Sequence, residues 1–403
     1  VETRLGAAAE QMLVARGIQP QQEYRPPSLE LVGLPPAETL PQAVIRAAGE
    51  DHVFTGAEDR IRHASGQNYL DLMELRSGSL DAAPDAVLTP ASGEHIAAIL
   101  EACETAGVAV VPFGGGSSVV GGVAPLRGNH PAVVSLDLTA LRGAEVDERS
   151  LTARLGAGLR GPEAEALLAR RGYTIGHFPQ SFEYATIGGF AATRSAGQSS
   201  SGYGRFDALV SSIRLVTPRF RLSTLETPHT SIGPALRELV VGSEGILGVI
   251  PDVDVRIRPL PDVRRYEAWI VEDFEAGNEI VRNMAQSDSL PTIIRVSDRP
   301  ETEVNLAMSL PSGVKGTLFG QYLKLRGRED GSILIVGHEG SSAEVHRRRS
   351  DAARFIRRAG GVYLGQAAGR GWEKGRFHGP YLREALLDRG VLVETLETAH
   401  QWT

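Results

Sequence analysis

The chain has 403 residues, 42% of them hydrophobic and 23% charged, with a formal net charge of -7. That length is a prior for two or three domains with real cores, and the composition excludes a disordered or fibrous protein. The acidic balance argues against a nucleic-acid holder, and the single cysteine, Cys103, excludes an internal disulfide, a CxxC redox pair and a thiolate-rich metal site.

Other classes are excluded by missing signals. No apolar run reaches the roughly 18 residues of a membrane span, and no charged-then-apolar leader opens the chain. Only Lys315, Lys324 and Lys374 are lysines, and none completes a GxxxxGK(S/T) phosphate loop. A soluble, cytoplasmic protein is the expectation.

Residues 1–60 are punctuated by Pro20, Pro26, Pro27, Pro35, Pro36 and Pro41 and read as short helices and loops wrapping a domain. Ala86-Val87-Leu88 is a short apolar run. Ser92 then caps a helix whose Ile96, Ile99, Leu100 and Cys103 recur at helical spacing, and Gly107 closes it. Val108–Phe113 is a strand that feeds directly into three glycines. Val133–Leu138 and Leu151–Leu155 read as strands, followed by a helix with Pro162 in its first turn and Gly172 at its end. Ile213–Thr217 and Val249–Arg256 are further strands.

After Pro259 and Pro261 the rhythm restarts. Tyr266–Val271, Phe274–Met284 and Thr292–Val296 read as strand, helix and strand; 308–332 reads as loop; Ser332–Val336, Ala343–Arg358 and Gly361–Leu364 repeat the order. Two β-α-β units in tandem predict a sheet with helices on one face and a boundary near 259. The expected organisation is an N-terminal segment, 1–80, packing on a domain at 81–258, and a second domain at 259–403.

Three stretches carry the chemistry. The first is Pro112-Phe113-Gly114-Gly115-Gly116-Ser117-Ser118, where glycines let successive N–H groups converge on one anion and the serines add hydroxyls. A tight turn with no ligand accounts for a bare Gly-Gly-Gly equally well, and the dinucleotide fingerprint GxGxxG is absent here. The second runs from Gly176-His177-Phe178-Pro179-Gln180-Ser181 through Thr186, Gly188-Gly189 and Thr193-Arg194-Ser195-Ala196-Gly197. Its small residues let backbone lie flat against a planar ring. The third is Val241-Gly242-Ser243-Glu244-Gly245, continuing to Gly248-Val249-Ile250.

In this order and spacing the three stretches resemble the FAD-binding domain of the vanillyl-alcohol oxidase superfamily. Within it the chain is most similar to the alkyldihydroxyacetonephosphate synthase family. The block Gly176–Gly189, Arg62-His63-Ala64-Ser65-Gly66, Ile294-Arg295-Val296-Ser297-Asp298, Tyr381-Leu382-Arg383-Glu384 and Glu394–Ala399 follow the family pattern. Ser117 stands where the family usually has threonine, and His338 replaces a usual aromatic. The resemblance implies an α+β protein: a two-subdomain FAD-binding domain of the vanillyl-alcohol oxidase type, then a partial α+β cap that binds substrate.

It also implies non-covalent FAD, held by Pro112, Phe113, Gly114, Gly115, Gly116, Ser117, Ser118, Gln180, Ser181, Thr186, Gly189, Thr193, Arg194, Ser195, Ala196, Glu244, Gly245, Gly248, Val249 and Ile250. The implied reaction replaces the acyl chain of acyl-dihydroxyacetonephosphate with a fatty alcohol through a flavin N5 adduct, in ether lipid synthesis, without net redox change. Arg295 and Arg383 are the implied phosphate anchors, with Arg295 also placed in the catalytic set, and His177 is the implied base or proton carrier. No metal and no nucleic acid are implied. The partners are lipid-like small molecules; peripheral membrane contact and a homodimer stay open.

Each residue has a plainer reading. Arg295 and Arg383 read equally as surface ion pairs, His177 as a histidine packing the turn before Pro179, His63 as a domain-packing residue and Cys103 as core filler. The cluster Arg370, Lys374, Arg376 and His378 reads as a solvated face. The competing function is an FAD-dependent D-2-hydroxyacid dehydrogenase acting on D-lactate or glycolate, which shares the glycine segments, and a third is flavin binding without turnover. The family pattern continues past Thr403 to complete the cap and to supply a tyrosine and a histidine run. The expectation is therefore a catalytically incomplete chain.

Overall fold

The computed structural model describes residues 7–19, 24–227, 231–309 and 314–402. They divide into two compact units: a larger one of residues 25–197 and 205–259, and a smaller one of 260 onward joined by 198–204 and the N-terminal helix.

The larger unit begins with β1 (Val53–Phe54), β2 (Ala86–Leu88), β3 (Ala109–Phe113) and β4 (Val133–Asp137) in a sheet of order β1-β2-β4-β3. The last three strands are parallel. Helix Gly93–Ala106 starts where Ser92 Oγ accepts the His95 N–H at 3.1 Å and stops where Gly107 turns left-handed. Its Ile96, Ile99, Leu100 and Cys103 are buried against this sheet. Burying each such side chain contributes about 1.5–3 kcal/mol, and the same burial pushes the Cys103 thiol up to about 12, so it is core filler. The Pro-rich segment before the sheet is tied down by buried polar groups. Arg60 donates to the carbonyls of Pro84 and Pro35, and Asp85 accepts the N–H groups of Glu38 and Val133.

Next come β5 (Ala144–Asp147), β6 (Thr152–Gly156), β7 (Tyr173–Thr174), β8 (Val210–Val216), β9 (Arg221–Ser223), β10 (Asp252–Arg256) and β11 (Arg258–Pro259). An antiparallel sheet of order β5-β6-β10-β8-β9 packs its inner face on helices Gly161–Ala169 and Ile187–Ala192, and β7 pairs with β11. The strand expected from Val249 begins only at Asp252. Pro251 has no N–H to give a ladder, so Val249 instead makes an isolated bridge with Val216.

In the smaller unit β12 (Val263–Val271), β13 (Ile293–Val296), β14 (Ser332–Gly340) and β15 (Val362–Gly365) form an antiparallel sheet of order β13-β14-β12-β15. The two β-α-β units interleave in the ferredoxin-like way. Helices Phe274–Gln286 and Ser342–Arg358 cover Trp269, Val271, Leu334 and Val336. The opposite side, with Ala268, Ile270, Ile333 and Ile335, packs on Leu306, Leu323 and Trp372 of helices Arg299–Ser309, Val314–Leu325 and Gln366–Gly375. The expectation of helices on one face only is corrected: both faces are covered. The reason is visible in β12 and β14, whose runs at 266–271 and 332–339 are buried without alternation, so neither side tolerates water.

The structure departs from the sequence reading in two more places. The segment read as loop at 308–332 contains the helix Val314–Leu325, in which Leu, Lys and Gln outweigh two glycines; residues 310–313 lie outside the described residues. The N-terminal helix Ala7–Ala15 belongs with the smaller unit rather than with the sheet it precedes. Glu10 pairs with Arg389 at 3.1 Å and Arg16 with Glu303 at 3.3 Å, and the Tyr24 N–H donates to the Asp388 carbonyl.

Candidate functional site

The glycine turn leaves the C-terminal end of β3, the edge at which parallel sheets gather ligands. Its packing is unusually close. A methyl group on Gly115 would lie 1.9 Å from the Tyr184 carbonyl oxygen, and one on Gly114 would lie 2.5 Å from Thr186 Oγ1. Gly116 has φ +61°. The first and second stretches are thus in backbone contact.

The third stretch joins them. Gly245 sits against the Pro112 ring, and Gly122 is close to both Glu244 Oε2 and Ser118 Oγ. The N–H groups of Gly242 and Glu244 donate to the carbonyls of Ala191 and Ala192. Gln67, in the upstream block, donates its N–H to the Ser118 carbonyl at 2.6 Å.

This packing leaves a row of donors open. The backbone N–H groups of Gly114, Gly115, Gly116, Ser117 and Ser118 meet no acceptor among the described residues. Five successive N–H groups on a half-buried turn are a nest for an anion. Ser243 Oγ, in the third stretch, is buried and also without a partner among them. The arrangement fits a phosphorylated cofactor better than it fits a bare turn.

The other expected contacts divide between backbone capping and the core. Thr186 caps helix Ile187–Ala192, accepting the Gly189 N–H. Thr193 Oγ1 donates to the Gly189 carbonyl. Arg194, at φ +50°, spends its guanidinium on protein: it donates to the carbonyls of Val241 and Glu238 and pairs with Asp207 at 3.3 Å. It therefore clamps the third stretch to the second. Val249 and Ile250 have their side chains in the core, and Val249 also spends its N–H and carbonyl on Val216, so neither offers a side chain and Val249 offers no free N–H. Gln180 and Ala196 are exposed or half-buried, as are Ser181 and Gly248.

His177 is 2% exposed, boxed by Phe190 and Phe206, with Nε2 hydrogen-bonded to Ser195 Oγ at 2.9 Å and Nδ1 without a partner among the described residues. Burial, only partly opposed by Asp207, pushes its pKa down to about 3. It is a neutral imidazole.

His63, which the sequence presents as a packing residue, does more than pack. It donates from Nδ1 to the Asp59 carbonyl at 2.7 Å and from Nε2 to Asp137 Oδ2 at 3.2 Å, with its ring on Phe113. Both partners are acceptors, so the protonated ring is the form that satisfies both. Burial alone would lower its pKa, but the Asp137 carboxylate and the Asp59 carbonyl outweigh it and the net shift is upward. Asp137, whose burial acts the other way, is held below the usual carboxylate range by His63 and Thr139. Nothing local could have revealed this pair, because its members are 74 positions apart.

In the smaller unit Arg295 is on β13 with its side chain 42% exposed and paired with Glu301. Arg383, on helix Gly379–Leu387, is only 12% exposed and lies 3.8 Å from Glu384. His338 is buried, and burial pushes it down to about 4. Sequence patterns also gave no sign of Glu339, a buried carboxylate held by the hydroxyls of Tyr266 and Tyr203.

Residues 84–225 match the family described as "FAD binding domain", and residues 260–403 match "FAD linked oxidases, C-terminal domain". The alkyldihydroxyacetonephosphate synthase of Trypanosoma brucei brucei is 33% identical over 365 residues, which is 88% of this chain and 59% of that protein. A solved alkyldihydroxyacetonephosphate synthase superimposes with a TM-score of 0.84 at 28% identity, covering 94% of this chain and 72% of the other. The chain is a homologue of the alkyldihydroxyacetonephosphate synthases. It spans 57–62% of the length of three curated synthases. A mitochondrial D-lactate dehydrogenase of Arabidopsis thaliana, 28% identical, matches only 56% of the chain. The nest at Gly114–Ser118 therefore belongs to an FAD-binding domain, as its donors indicate.

Gly115→Ala forces a methyl onto the Tyr184 carbonyl and should yield protein depleted of flavin absorbance. Gly143→Ala, where a methyl meets nothing within 4 Å, should retain it. The histidines should act on stability with opposite signs. The unfolded chain protonates His177 below pH about 6.5 but the folded chain does so only near 3. Its contribution is thus complete above pH ~6.5 and declines on acidification, by about 2 kcal/mol at pH ~5. His63 stabilises fully below its unfolded value and loses this as pH rises through its raised folded value. Denaturation midpoints against pH should flatten on the acid limb in His177→Gln and on the alkaline limb in His63→Gln.

Proposed function

We propose that the chain holds FAD without a covalent link and exchanges the acyl chain of acyl-dihydroxyacetonephosphate for a fatty alcohol. The observation that carries this reading is the row of open donors at Gly114–Ser118 in a chain that follows a synthase over most of its length. Those N–H groups would hold the cofactor's phosphates. Pro112, Phe113, Gln180, Ser181, Thr186, Gly189, Thr193, Ser195, Ala196, Glu244 and Gly245 would line its remaining length, with the backbone at Gly248, Val249 and Ile250. When bound and reduced, the flavin supplies a nucleophilic ring nitrogen, which opens covalent catalysis without net redox change.

The chain's own residues bind and orient. Arg383, shielded from water, offers the fork geometry that suits a substrate phosphate. Both arginines already face a carboxylate, Glu301 and Glu384, but Arg295 is the more exposed to water, which makes it the weaker anchor. His177 is assigned a positioning role in place of the proton-carrying one: a neutral imidazole fixes Ser195 and is too weak a base to move protons near neutral pH. Arg194 is assigned to holding the flavin segments together. The lipid character of the substrates is the ground for peripheral membrane contact; among the described residues no helix is long and apolar enough to cross a membrane.

Non-covalent attachment is expected because the glycine turn has neither histidine nor cysteine and Cys103 is buried in a helix. Acid precipitation should release yellow FAD into the supernatant; a yellow pellet would refute it. Incubation with acyl-dihydroxyacetonephosphate and a fatty alcohol should form the ether. Anaerobic bleaching of the flavin by D-lactate or glycolate, without ether formation, would replace this reading with a dehydrogenase. Arg383→Leu should weaken phosphorylated ligands by about 1.5–3 kcal/mol per lost charged bond, at unchanged flavin content, with a smaller effect for Arg295→Leu. Unaltered binding in both variants would remove the anchor assignment.

A further inference from the structure

The smaller unit contains a cavity of about 260 Å³ that none of the flavin or anchor residues lines. Ser201 comes from the 198–204 segment, Asp288 and Ser289 from the turn after helix Phe274–Gln286, and Arg347, Arg348 and Asp351 from helix Ser342–Arg358. Three separate stretches of chain build it.

The two arginines stand out by making no bonded contact, although both lie in the field of Glu344 one turn away on the same helix. Elsewhere on the same helix Arg349 pairs with Glu267, Arg354 with Asp351, and Arg357 lies over the Trp269 ring. Arg347 and Arg348 form no ion pair or hydrogen bond with any described residue. Asp351 is already engaged by Arg354, which leaves Asp288 as the one carboxylate on the wall without a partner among the described residues. The lining is formally neutral, two arginines against Asp288 and Asp351, but Asp351 is shared with Arg354 outside the wall, so the two guanidinium groups are not fully answered from within it. Two adjacent guanidinium groups suit a dianion such as a phosphate monoester better than a carboxylate.

The hydroxyls set a second requirement. Ser201 Oγ already donates to the Thr292 carbonyl and Ser289 Oγ to the Ser287 carbonyl. Each can thus offer the cavity only lone pairs, as does the Asp288 carboxylate. A ligand that satisfies these walls must carry hydroxyl donors beside its anionic group. Size and polarity narrow the ligand further. The volume is just below the ~300–1,000 Å³ of drug-sized sites, and Leu290 is the single apolar side chain on the wall, so an acyl chain has no place here.

We propose that this cavity binds a small hydroxylated phosphate monoester, with Arg347 and Arg348 on the phosphate and Ser201, Ser289 and Asp288 accepting from its hydroxyls. The assignment is independent of the flavin reading.

The test is calorimetric titration of the full chain at fixed ionic strength with sn-glycerol 3-phosphate, inorganic phosphate and glycerol. The Arg383→Leu background removes the phosphate anchor assigned to the substrate site. Glycerol 3-phosphate should bind at one site per chain, inorganic phosphate more weakly, and glycerol not at all. Arg347→Gln with Arg348→Gln should weaken binding at least tenfold. Asp288→Asn should tighten inorganic phosphate several-fold, a gain that misfolding cannot imitate. Equal isotherms for the parent and the double arginine variant would overturn the proposal. So would an unchanged or weaker response to inorganic phosphate in Asp288→Asn, or binding of glycerol as tight as that of its phosphate.

Discussion

The approach of two backbones, at Gly115 and Tyr184, is the constraint on which the larger unit's site depends. No side chain fits between the turn and that carbonyl, so the chain runs in contact there and the other geometry is built around it. The turn so fixed has N–H groups at Gly114–Ser118 that meet no acceptor among the described residues. A protein does not leave five donors in a row half-buried without a reason, since each costs free energy when unpaired. The same contact places Thr186 at the start of its short helix, and that helix carries Ala191 and Ala192, whose carbonyls receive the third stretch. Arg194 then closes the set by bonding back to Val241 and Glu238.

Electrostatics in this unit are sorted by acceptor supply. His63 and His177 are both largely buried, and burial alone disfavours the charged form of each. His63 faces a carbonyl and a carboxylate, and these return more than the lost hydration. His177 faces one hydroxyl and two phenyl rings, which return little. The pKa of one ring is raised and that of the other is lowered, for reasons that the residue type does not disclose. The smaller unit shows the same logic with an acid. Glu267 is almost fully buried, yet Arg349 and Arg265 outweigh the burial that would raise it and hold its pKa below the usual carboxylate range.

These cases mark the limit of what a sequence can disclose. Helix Gly93–Ala106 was legible to the residue because cap, apolar spacing and terminating glycine are all local signals. The three small-residue stretches were legible as a group because backbones in direct contact demand small residues where they meet. Contacts made by pairing distant positions left no trace: His63 with Asp137, Tyr203 with Glu339, and Arg194 with Val241. The second layer of helices on the smaller sheet was hidden for a different reason. Its signal is the lack of alternation in β12 and β14, and a short apolar run reads as a strand without saying whether one face or two are covered. Arg295 shows the opposite hazard, since its place in a familiar stretch did not disclose that Glu301 already occupies it.

The segment 198–204 leaves the larger unit in sequence and packs in the smaller one, although it continues the second flavin stretch without a break. Gln198 donates to the Arg376 carbonyl, Ser201 to the Thr292 carbonyl, and Tyr203 to Glu339. Glu339 is buried at 5% exposure and, among the described residues, is held by two phenol hydroxyls and no ion pair. Burial and then the neighbouring carboxylate push the Tyr266 pKa up, so the phenol keeps its proton and remains a donor at any ordinary pH. A carboxylate satisfied by neutral donors holds its geometry without a counter-charge that salt or a phosphate ligand could displace. Immediately upstream, Ser195 is fixed by His177 on one side and by the Phe206 N–H, which donates to its carbonyl, on the other. The stretch from Ser195 to Tyr203 is thus anchored at both ends by buried side chains, His177 and Glu339. That is what a chain must do where one short segment leaves one unit and packs in another.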